Sequence, residues 1–274
     1  MFETIAELAR YRELLLNLVI RDLKIRYKNS ALGFLWSLIN PLVQVATLTI
    51  VFKYVMGVKI PNYSAYLLCA FLPWTFFQTS ILDASSSIAQ YGALVKKMYF
   101  PREIIPISSV ISNLVHFLMA MVIFFIYLCL LGTPIKVTWL LLPILIIIQV
   151  MLTTGISLFA ACLNVYYEDI KYVTAVLLNL LFYLNPVVYL VEQALNKGPM
   201  AIQPIAHAYF YLSPMSYLLV AYRKILLPAF NAAGIRDIPI SYGYLGIAAL
   251  TSFCILVAGY AFYNKRKWYF AERF

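Results

Sequence analysis

The sequence has 274 residues, of which 64% are hydrophobic and only 12% charged. Its mean hydropathy is +0.85, and such an apolar chain is not typical of a soluble single domain, so the composition predicts an all-α integral membrane protein. The net charge of +10 would suggest nucleic acid in a soluble protein. Here the basic residues cluster at the ends of apolar runs, which indicates contact with anionic membrane lipids and excludes a nucleic-acid partner.

Residues 1–30 differ from the rest of the chain and predict an N-terminal amphipathic helix in the membrane interface. Ile5, Leu8, Leu15 and Leu18 recur at near-helical spacing. The interfacial polar side is assigned to the basic residues Arg21, Lys24, Arg26 and Lys28. An ordinary solvated amphipathic helix would show the same pattern.

Residues 31–274 contain six apolar runs of the length that a membrane-spanning helix requires, which is about 20 residues. The runs are Phe34–Met56, Ala65–Ser87, Ser108–Leu131, Val137–Leu163, Tyr172–Val191 and Tyr242–Tyr263. More basic residues fall on the cytoplasmic side when both termini are placed there. This orientation puts Lys97, Lys171 and Lys265 inside, and Lys59, Lys136 and Lys197 outside.

Residues 94–106, reading LVKKMYFPREIIP, join the second and third runs. The segment is charged and aromatic, and its two prolines bracket enough residues for one or two helical turns. Such a helix at the membrane surface suits docking onto another protein. The alternative is a basic loop that only sets the topology.

Residues 192–241 form a long outer loop that contains five prolines and therefore cannot be one continuous helix. Its apolar pieces are too short or too polar to span the membrane independently. They predict short helices or a re-entrant hairpin over an outer opening, which suggests a gate. A folded outer lid without a moving role is the alternative.

Residues with catalytic or metal-binding patterns are missing from the sequence. There is no Gly-Lys dipeptide, hence no phosphate-binding GxxxxGK[ST] loop, and no zinc-binding HExxH motif. His116 and His207 stand alone, and the four cysteines are scattered over the predicted spans. Carboxylates within the spans are scarce, which argues against an ion-coupled transporter. We therefore expect no catalytic residue, no metal site and no cofactor in this chain.

Aromatic residues make up 16% of the sequence, and an aromatic belt at the two membrane interfaces accounts for most of them. Others lie within the spans or near the outer face. Because aromatic faces can carry the C–H faces of sugars, Tyr54, Phe71, Trp74 and Tyr189 are candidates for lining a path for a sugar.

Several of these segments resemble the permease subunits of polysaccharide-exporting ABC transporters, and the O-antigen exporter permeases above all. The resemblance is carried, in the family's order, by RDLKIRYKNSALGFLWSLINPL (21–42), VKKMYFPREIIPISS (95–109), NVYYEDIKYV (164–173), NPVVYL (185–190) and SPMSYLLVAYRKILL (213–227). Glu168 departs from the family pattern, where an arginine often precedes the aspartate.

The resemblance implies six membrane helices, an N-terminal interfacial helix and short helices in the last outer loop. It also implies a homodimer in the inner membrane that pairs with two copies of a separate ATPase subunit, which uses ATP and Mg²⁺. The polymer, attached to a lipid carrier, would pass between the two permeases. The coupling helix of residues 94–106 would rest on the ATPase through Lys96, Lys97, Tyr99, Phe100, Pro101, Arg102 and Glu103.

Two other classes share parts of the pattern. One is a type-2 ABC exporter permease for teichoic acid, capsule, or a smaller lipid or drug, which has the same topology. The other is a membrane scaffold or membrane enzyme that needs no ATPase.

Overall fold

The computed structural model describes residues 10–27, 35–57, 60–92, 94, 100–192, 203–228, 240–267 and 270, and its elements in these ranges are all helical. The α-helices are α1 (Arg12–Tyr27), α2 (Leu35–Thr49), α3 (Tyr63–Gln90), α4 (Ile104–Leu130), α5 (Leu142–Tyr166), α6 (Ile170–Leu184), α7 (Gln203–Leu212), α8 (Pro214–Leu226) and α9 (Tyr242–Arg266). A π-helical turn, Ile50–Val55, extends α2, and a 3₁₀ turn, Val137–Leu141, leads into α5. The all-α fold predicted from composition is confirmed.

Four helices are long and apolar enough to cross a membrane: Tyr63–Gln90, Ile104–Leu130, Val137–Tyr166 and Tyr242–Arg266. Among these, α3 is the central helix, since most of its residues are buried against α4 and α5. By contrast, α4 and α9 keep large apolar faces on the outside. The outward apolar faces suit the hydrocarbon of a bilayer.

The other two predicted spans are shorter in the structure. The first corresponds to the shorter apolar helix Ile39–Val55, with Pro41 inside it, and the fifth to Ile170–Leu184 rather than Tyr172–Val191. Helix α6 ends at Asn185, whose backbone is extended, because Pro186 cannot continue the helical hydrogen bonding. A count of six spans therefore rests on the sequence pattern and not on these helix lengths.

Helix α1 packs along α4 through one side only. Its buried side chains are Leu18 and Val19, while Leu16, Ile20 and Ile25 are exposed together with its basic residues. The helix therefore has apolar residues on two sides, one against the protein and one outward. The sequence predicted one apolar and one basic face for this helix. In the structure, apolar side chains also lie on the outward side, next to the basic ones.

Helices α5 and α9 approach each other more closely than any side chain at the crossing would allow. A β-carbon added to Gly259 would lie 2.2 Å from the carbonyl oxygen of Gly155, and one added to Gly155 would lie 2.7 Å from the backbone at Ile255 and Leu256. Small residues let membrane helices pack backbone against backbone. The two glycines thus fix the distance between α5 and α9.

At one end of the bundle, five helices and the segment before α4 meet in a buried apolar cluster. We call it the basal cluster, and it consists of Leu18, Ile88, Tyr91, Phe100, Ile104, Ile105, Leu158, Ala161, Cys162, Tyr263 and Phe270. It joins α1 with the ends of α3, α4, α5 and α9. None of the described side chains of α2 and α6 belongs to it.

At the opposite end, the short helices α7 and α8 lie where the sequence predicts them, in the segment between α6 and α9. The C-terminal end of α8 is bound by the segment before α5. Thr138 Oγ1 donates to the Ile225 carbonyl at 2.9 Å, and Lys136 Nζ donates to the Leu227 carbonyl at 2.6 Å. Tyr217 also donates its hydroxyl to the Ser241 carbonyl at 2.6 Å. The C-terminal end of α8 is therefore held by the segment that precedes α5.

Candidate transport and coupling sites

The predicted coupling segment is described from Phe100 onward, while Lys96, Lys97 and Tyr99 lie outside the described residues. Phe100 is only 6% exposed and belongs to the basal cluster. Its ring therefore packs into the chain's own interior and supports the segment from within. Pro101 follows it, and the Ile104 N–H donates to the Pro101 carbonyl at 3.1 Å, which forms a turn at the start of α4.

The charged pair after Pro101 connects this segment to the end of α9. Glu103, whose side chain is fully buried, forms an ion pair with Lys267 at 3.3 Å. Arg102 Nη1 donates to the backbone carbonyl of Lys267 at 2.8 Å. A buried ion pair that loses one partner leaves an uncompensated charge, so these contacts tie the two chain segments together firmly.

A second polar site lies between α1, α3 and α4. Arg26 Nη2 contacts Asp83 Oδ2 at 2.5 Å, and Arg26 Nη1 donates to Asn113 Oδ1 at 2.9 Å. Asn113 Nδ2 in turn donates to the same Asp83 oxygen at 2.8 Å. The three side chains form a closed triangle of hydrogen bonds. Arg26, one of the basic residues predicted to lie at the membrane interface, is thereby bound to the second and third predicted spans.

Polar side chains continue from this triangle along both helices. Thr75, Thr79 and Asp83 lie four residues apart on α3, and Asn113 and His116 lie three apart on α4, so each set occupies one helix face. Together they line a cavity of about 320 Å³ that reaches Asn40 and Pro41 of α2. Polar groups within membrane helices face the protein interior or a water-filled cavity and often mark pathways.

The rest of α1 is held by Tyr91, which follows α3. The Tyr91 hydroxyl donates to Asp22, and the Arg21 guanidinium lies over the Tyr91 ring at 4.6 Å from its centre. Burial raises the pKa of the Asp22 carboxyl above its usual value, and the hydrogen bond from Tyr91 offsets part of the rise. Lys24 is exposed on the outward side, and Lys28 lies outside the described residues.

Arg223 of α8 forms a buried centre at the other end of the molecule. The residue is 5% exposed, and its guanidinium donates to the carbonyls of Tyr66 at 3.2 Å, Pro186 at 2.6 Å and Tyr189 at 3.3 Å, and to that of Val187. It also donates to the Tyr66 hydroxyl at 2.7 Å and lies over that ring. The five-donor fork of arginine suits this set of acceptors.

The consequence of the Arg223 contacts is that the non-helical turn after α6 has its carbonyls satisfied inside the protein. Irregular backbone at membrane depth persists only when it is covered in this way. Next to Arg223, Lys224 pairs with Glu192. Burial lowers the pKa of Lys224, and the contact with the Glu192 carboxylate opposes this decrease.

The four aromatic residues predicted to line a path have different surroundings. Tyr54 is 71% exposed on the π-helical turn, and Tyr189 is partly buried near Phe210. Trp74 is 1% exposed, and the rings of Phe71 and Trp74 lie 6.2 Å and 5.9 Å from that of Phe182 of α6. Phe71 and Trp74 therefore pack α3 against α6, one layer behind the surface.

Helix α6 carries the most open apolar face next to these aromatics. Leu178 is its one buried residue among those described, whereas Tyr172, Val173, Val176, Leu177, Leu180, Tyr183 and Leu184 are exposed. The exposed residues of α2 and its π-helical turn include Leu42, Val43, Ile50, Val51, Tyr54 and Val55. Like α4 and α9, these two helices therefore have apolar faces that the chain itself leaves uncovered.

Sequence reasoning did not predict two of these features, the cavity next to the Arg26–Asp83–Asn113 triangle and the Arg223 centre. The cavity had a signal in the four-residue spacing of Thr75, Thr79 and Asp83 within an apolar run. The Arg223 centre had a weaker one, the basic pair Arg223–Lys224 within the apolar sequence of the outer loop. Neither signal names the partners, which come from other parts of the chain.

These features define the class of protein, which is a multi-pass membrane protein. It has long apolar helices, polar contacts buried within the helix bundle and apolar faces that the chain leaves uncovered. Within the described residues, no group of three or more His, Cys, Asp or Glu side chains is arranged to hold a metal ion. The chain belongs to the ABC-2 type transporter family, whose family model matches residues 13–227.

Two relatives from different organisms carry the same name. The O-antigen export system permease protein RfbA of Klebsiella pneumoniae is 31% identical over 261 residues, which cover 95% of this chain and 94% of the relative. A protein of the same name from Myxococcus xanthus is 30% identical over 275 residues, which cover 99% of each. The family named by the sequence motifs is thereby confirmed.

Proposed function

We propose that this chain is the channel-forming permease subunit of an ATP-driven exporter that moves lipid-linked polysaccharide, O-antigen in particular, across the cytoplasmic membrane. The observation that carries the proposal is the similarity, over nearly the whole chain, to proteins named O-antigen export permeases. The absence of a GxxxxGK[ST] loop from the sequence agrees with ATP and Mg²⁺ being used by a separate ATPase subunit.

The assembly in this proposal is a homodimer with two ATPase subunits, and both termini lie on the cytoplasmic side. The uncovered faces of α2 and α6 support a path between two copies, because these helices bury little surface within their own chain. The exposed tyrosines Tyr54, Tyr172 and Tyr183 on these helices offer ring faces to a sugar chain. Helices α7 and α8 are the elements placed to act as an outer gate.

Residues 94–106 are the proposed contact with the ATPase, and the basal cluster is the proposed base on which they rest. Phe100, Glu103 and Arg102 connect this segment to α3, α5 and α9 as well as to α4. A push on the segment would therefore reach four long helices together. Tyr99, Lys96 and Lys97 remain the candidates for direct contact with the partner.

The test of the function is export of the polymer in a strain that lacks its own permease gene. Co-expression of this chain with its candidate ATPase should restore surface polymer, and the two proteins should purify together. The proposal fails if the chain purifies without any ATPase and the polymer stays inside.

The coupling role is tested by the pair Glu103→Gln and Lys267→Met, with the exposed Lys265→Met as the matched charge control. We expect the first two variants to keep the ATPase bound and active but to export less polymer, while Lys265→Met behaves as wild type. Equal export in all three variants would remove the coupling role from the Glu103–Lys267 pair.

A comparison of Tyr99→Ala with Lys96→Ala/Lys97→Ala separates two roles of the loop. Loss of ATPase binding in Tyr99→Ala indicates an anchor in the ATPase, whereas an effect of the lysine variants alone indicates a loop that only sets the topology.

A further inference from the structure

Helices α7 and α8 follow each other at the outer end of the molecule, but they are buried to very different extents. Ten of the 13 residues of α8 are buried. Among the described side chains of α7, only Phe210 is buried, whereas His207, Ala208 and Leu212 are exposed. Local stability follows the number of buried apolar contacts, so the two helices are not bound equally to the rest of the chain.

Tyr222 binds α8 to the interior of the bundle through Gln149. The Tyr222 hydroxyl donates to Gln149 Oε1 at 2.7 Å, and Gln149 Nε2 donates to the Pro73 carbonyl at 2.7 Å. Both side chains are fully buried. Gln149 and Pro73 lie roughly 10 Å and roughly 15 Å along α5 and α3 from the first residues of these helices. The two hydrogen bonds therefore join α8 to α3 and α5 well inside the predicted spans.

Further hydrogen bonds hold α8 at both of its ends. In its first turn, Ser216 Oγ donates to Asn185 Oδ1 at 2.5 Å. In its last turn, Arg223 donates to the carbonyls of the turn after α6, and Lys136 donates to the carbonyl of Leu227. These partners come from separate parts of the chain. Any shift of α8 would leave several buried polar groups without a partner, which is costly.

Helix α7, by contrast, rests on aromatic rings. The ring of Phe210 lies 6.2 Å from that of Tyr189, and the ring of Tyr211 stacks on that of Tyr244 of α9 at 4.4 Å. Phe210 belongs to a small apolar cluster that is separate from the main core. The Tyr209 hydroxyl is buried and has no hydrogen-bond partner among the described residues. Movement of α7 would break ring contacts and would give this hydroxyl access to water.

The connection between α7 and α8 is a single residue, Ser213. Its backbone is extended, with φ −72° and ψ 114°, and Pro214 follows it as the first residue of α8. Proline has no N–H, so the helical hydrogen bonding of α7 does not continue through it. Hinges are often residues at the end of an element, where one change of φ and ψ turns a whole helix.

We propose that α8 is a fixed lid, held in place by Gln149 and Tyr222, and that the outer gate opens by movement of α7 about Ser213. The inference rests on the proposed function and divides its outer gate into a fixed part and a moving part. Gln149 is accordingly a positioning residue for α8.

The first test is hydrogen–deuterium exchange of the full chain, purified in detergent. Amides of α7 should exchange at least about tenfold faster than those of α8. Tyr222→Phe removes the hydroxyl that binds Gln149, and it should speed exchange in α8 about fivefold, the factor that corresponds to one hydrogen bond. Tyr209→Phe removes a hydroxyl without a described partner and should leave exchange in α8 unchanged.

The second test uses two reversible cross-links in a chain whose four natural cysteines are replaced by alanine. Tyr211→Cys/Tyr244→Cys joins α7 to α9, and Glu192→Cys/Lys224→Cys joins α8 to the segment after α6, since each native pair is in contact. A short bifunctional thiol reagent closes either pair, and a reductant opens it. We expect the first cross-link to stop polymer export until it is reduced, and the second to leave export unchanged.

Export that continues with α7 cross-linked, or that stops with α8 cross-linked, overturns the proposal. Equal exchange rates in α7 and α8, or equal effects of Tyr222→Phe and Tyr209→Phe on α8, overturn it as well. If the cysteine variants do not export in the reduced state, the exchange rates decide alone. A wild-type chain that exports no polymer contradicts the proposed function instead, and exchange still shows whether α8 is the fixed helix.

Discussion

Arg223 carries a positive charge into a buried place where its described hydrogen bonds go to backbone carbonyls and one tyrosine hydroxyl. Burying a charge is costly unless hydrogen bonds replace the lost water. The cost is offset because the carbonyls of Pro186 and Val187, which lie in the turn after α6, also need a donor inside the protein. The arginine and the broken end of α6 therefore stabilise each other.

Replacing Arg223 should accordingly destabilise the whole outer end. We expect Arg223→Gln to lower the free energy of unfolding by about 3 kcal/mol, because the buried carbonyls of Pro186 and Val187 lose a donor. Arg223→Lys keeps the charge but has fewer donors in a different geometry, so its effect should be smaller. Thermal unfolding in detergent measures both, with the exposed Lys265→Gln as the control that stays within about 0.5 kcal/mol. An unfolding temperature unchanged in Arg223→Gln would contradict this account.

Asp22 gives a prediction about pH. Because burial raises its pKa in the folded state, the folded protein holds the proton more tightly than the unfolded one. The stabilising contribution is therefore complete below the unfolded pKa of about 4 and is lost as the pH rises through the folded pKa.

Asp22→Asn removes this titration and should make the protein less sensitive to pH. The measurement compares unfolding temperatures at about pH 3.5, which lies below the ordinary aspartate pKa, and at about pH 8, which lies above it. Wild type should lose more stability over this range than Asp22→Asn, and Glu13→Gln, in the exposed first turn of α1, should follow wild type. The same pH dependence in wild type and Asp22→Asn would show that this carboxyl does not contribute.

Among the helices, the α5–α9 crossing depends on glycine at both contact positions. Gly259→Ala places a methyl group 2.2 Å from the Gly155 carbonyl oxygen, and a backbone atom cannot move aside as a flexible side chain can. The helices must separate, which should cost about 1–3 kcal/mol.

Gly246 offers a matched control on the same helix, since a β-carbon added there meets no atom within 4 Å. Gly246→Ala should stabilise α9 by up to about 1 kcal/mol through helix propensity. The two variants thus change stability in opposite directions in a thermal unfolding experiment. Destabilisation of similar size in both would mean that helix contact is not what Gly259 provides.

For the whole molecule, the question is which aromatic residues face a transport path and which belong to the core. Trp74→Ala should lower the free energy of unfolding by about 3–5 kcal/mol, because it empties a buried site. Tyr54→Ala should change stability by less than about 0.5 kcal/mol, because the side chain is exposed. Export corrected for the amount of folded protein should then fall in Tyr54→Ala. If it does not fall, Tyr54 does not line the path.

The sequence predicted the helices well, because a run of apolar residues and its bounding prolines are local properties. It also predicts one or two helical turns within residues 94–106, and residues 95–99 of that segment lie outside the described residues. It could not predict that Phe100 faces inward, since that depends on Tyr263 and Phe270 more than 160 positions later along the chain. The acceptors of Arg223 likewise come from α3 and from the turn after α6, and no periodicity in α8 reveals them.

The early end of α6 has a consequence for the surrounding bilayer. A helix of 15 residues is roughly 22 Å long, whereas the hydrocarbon core is about 30 Å thick. The bilayer next to the exposed face of α6 must become thinner, at a cost of a fraction of a kcal/mol for each ångström of mismatch. Contact with another protein avoids this deformation, so hydrophobic mismatch itself favours covering α6 with protein. The thicker the membrane, the stronger this preference becomes.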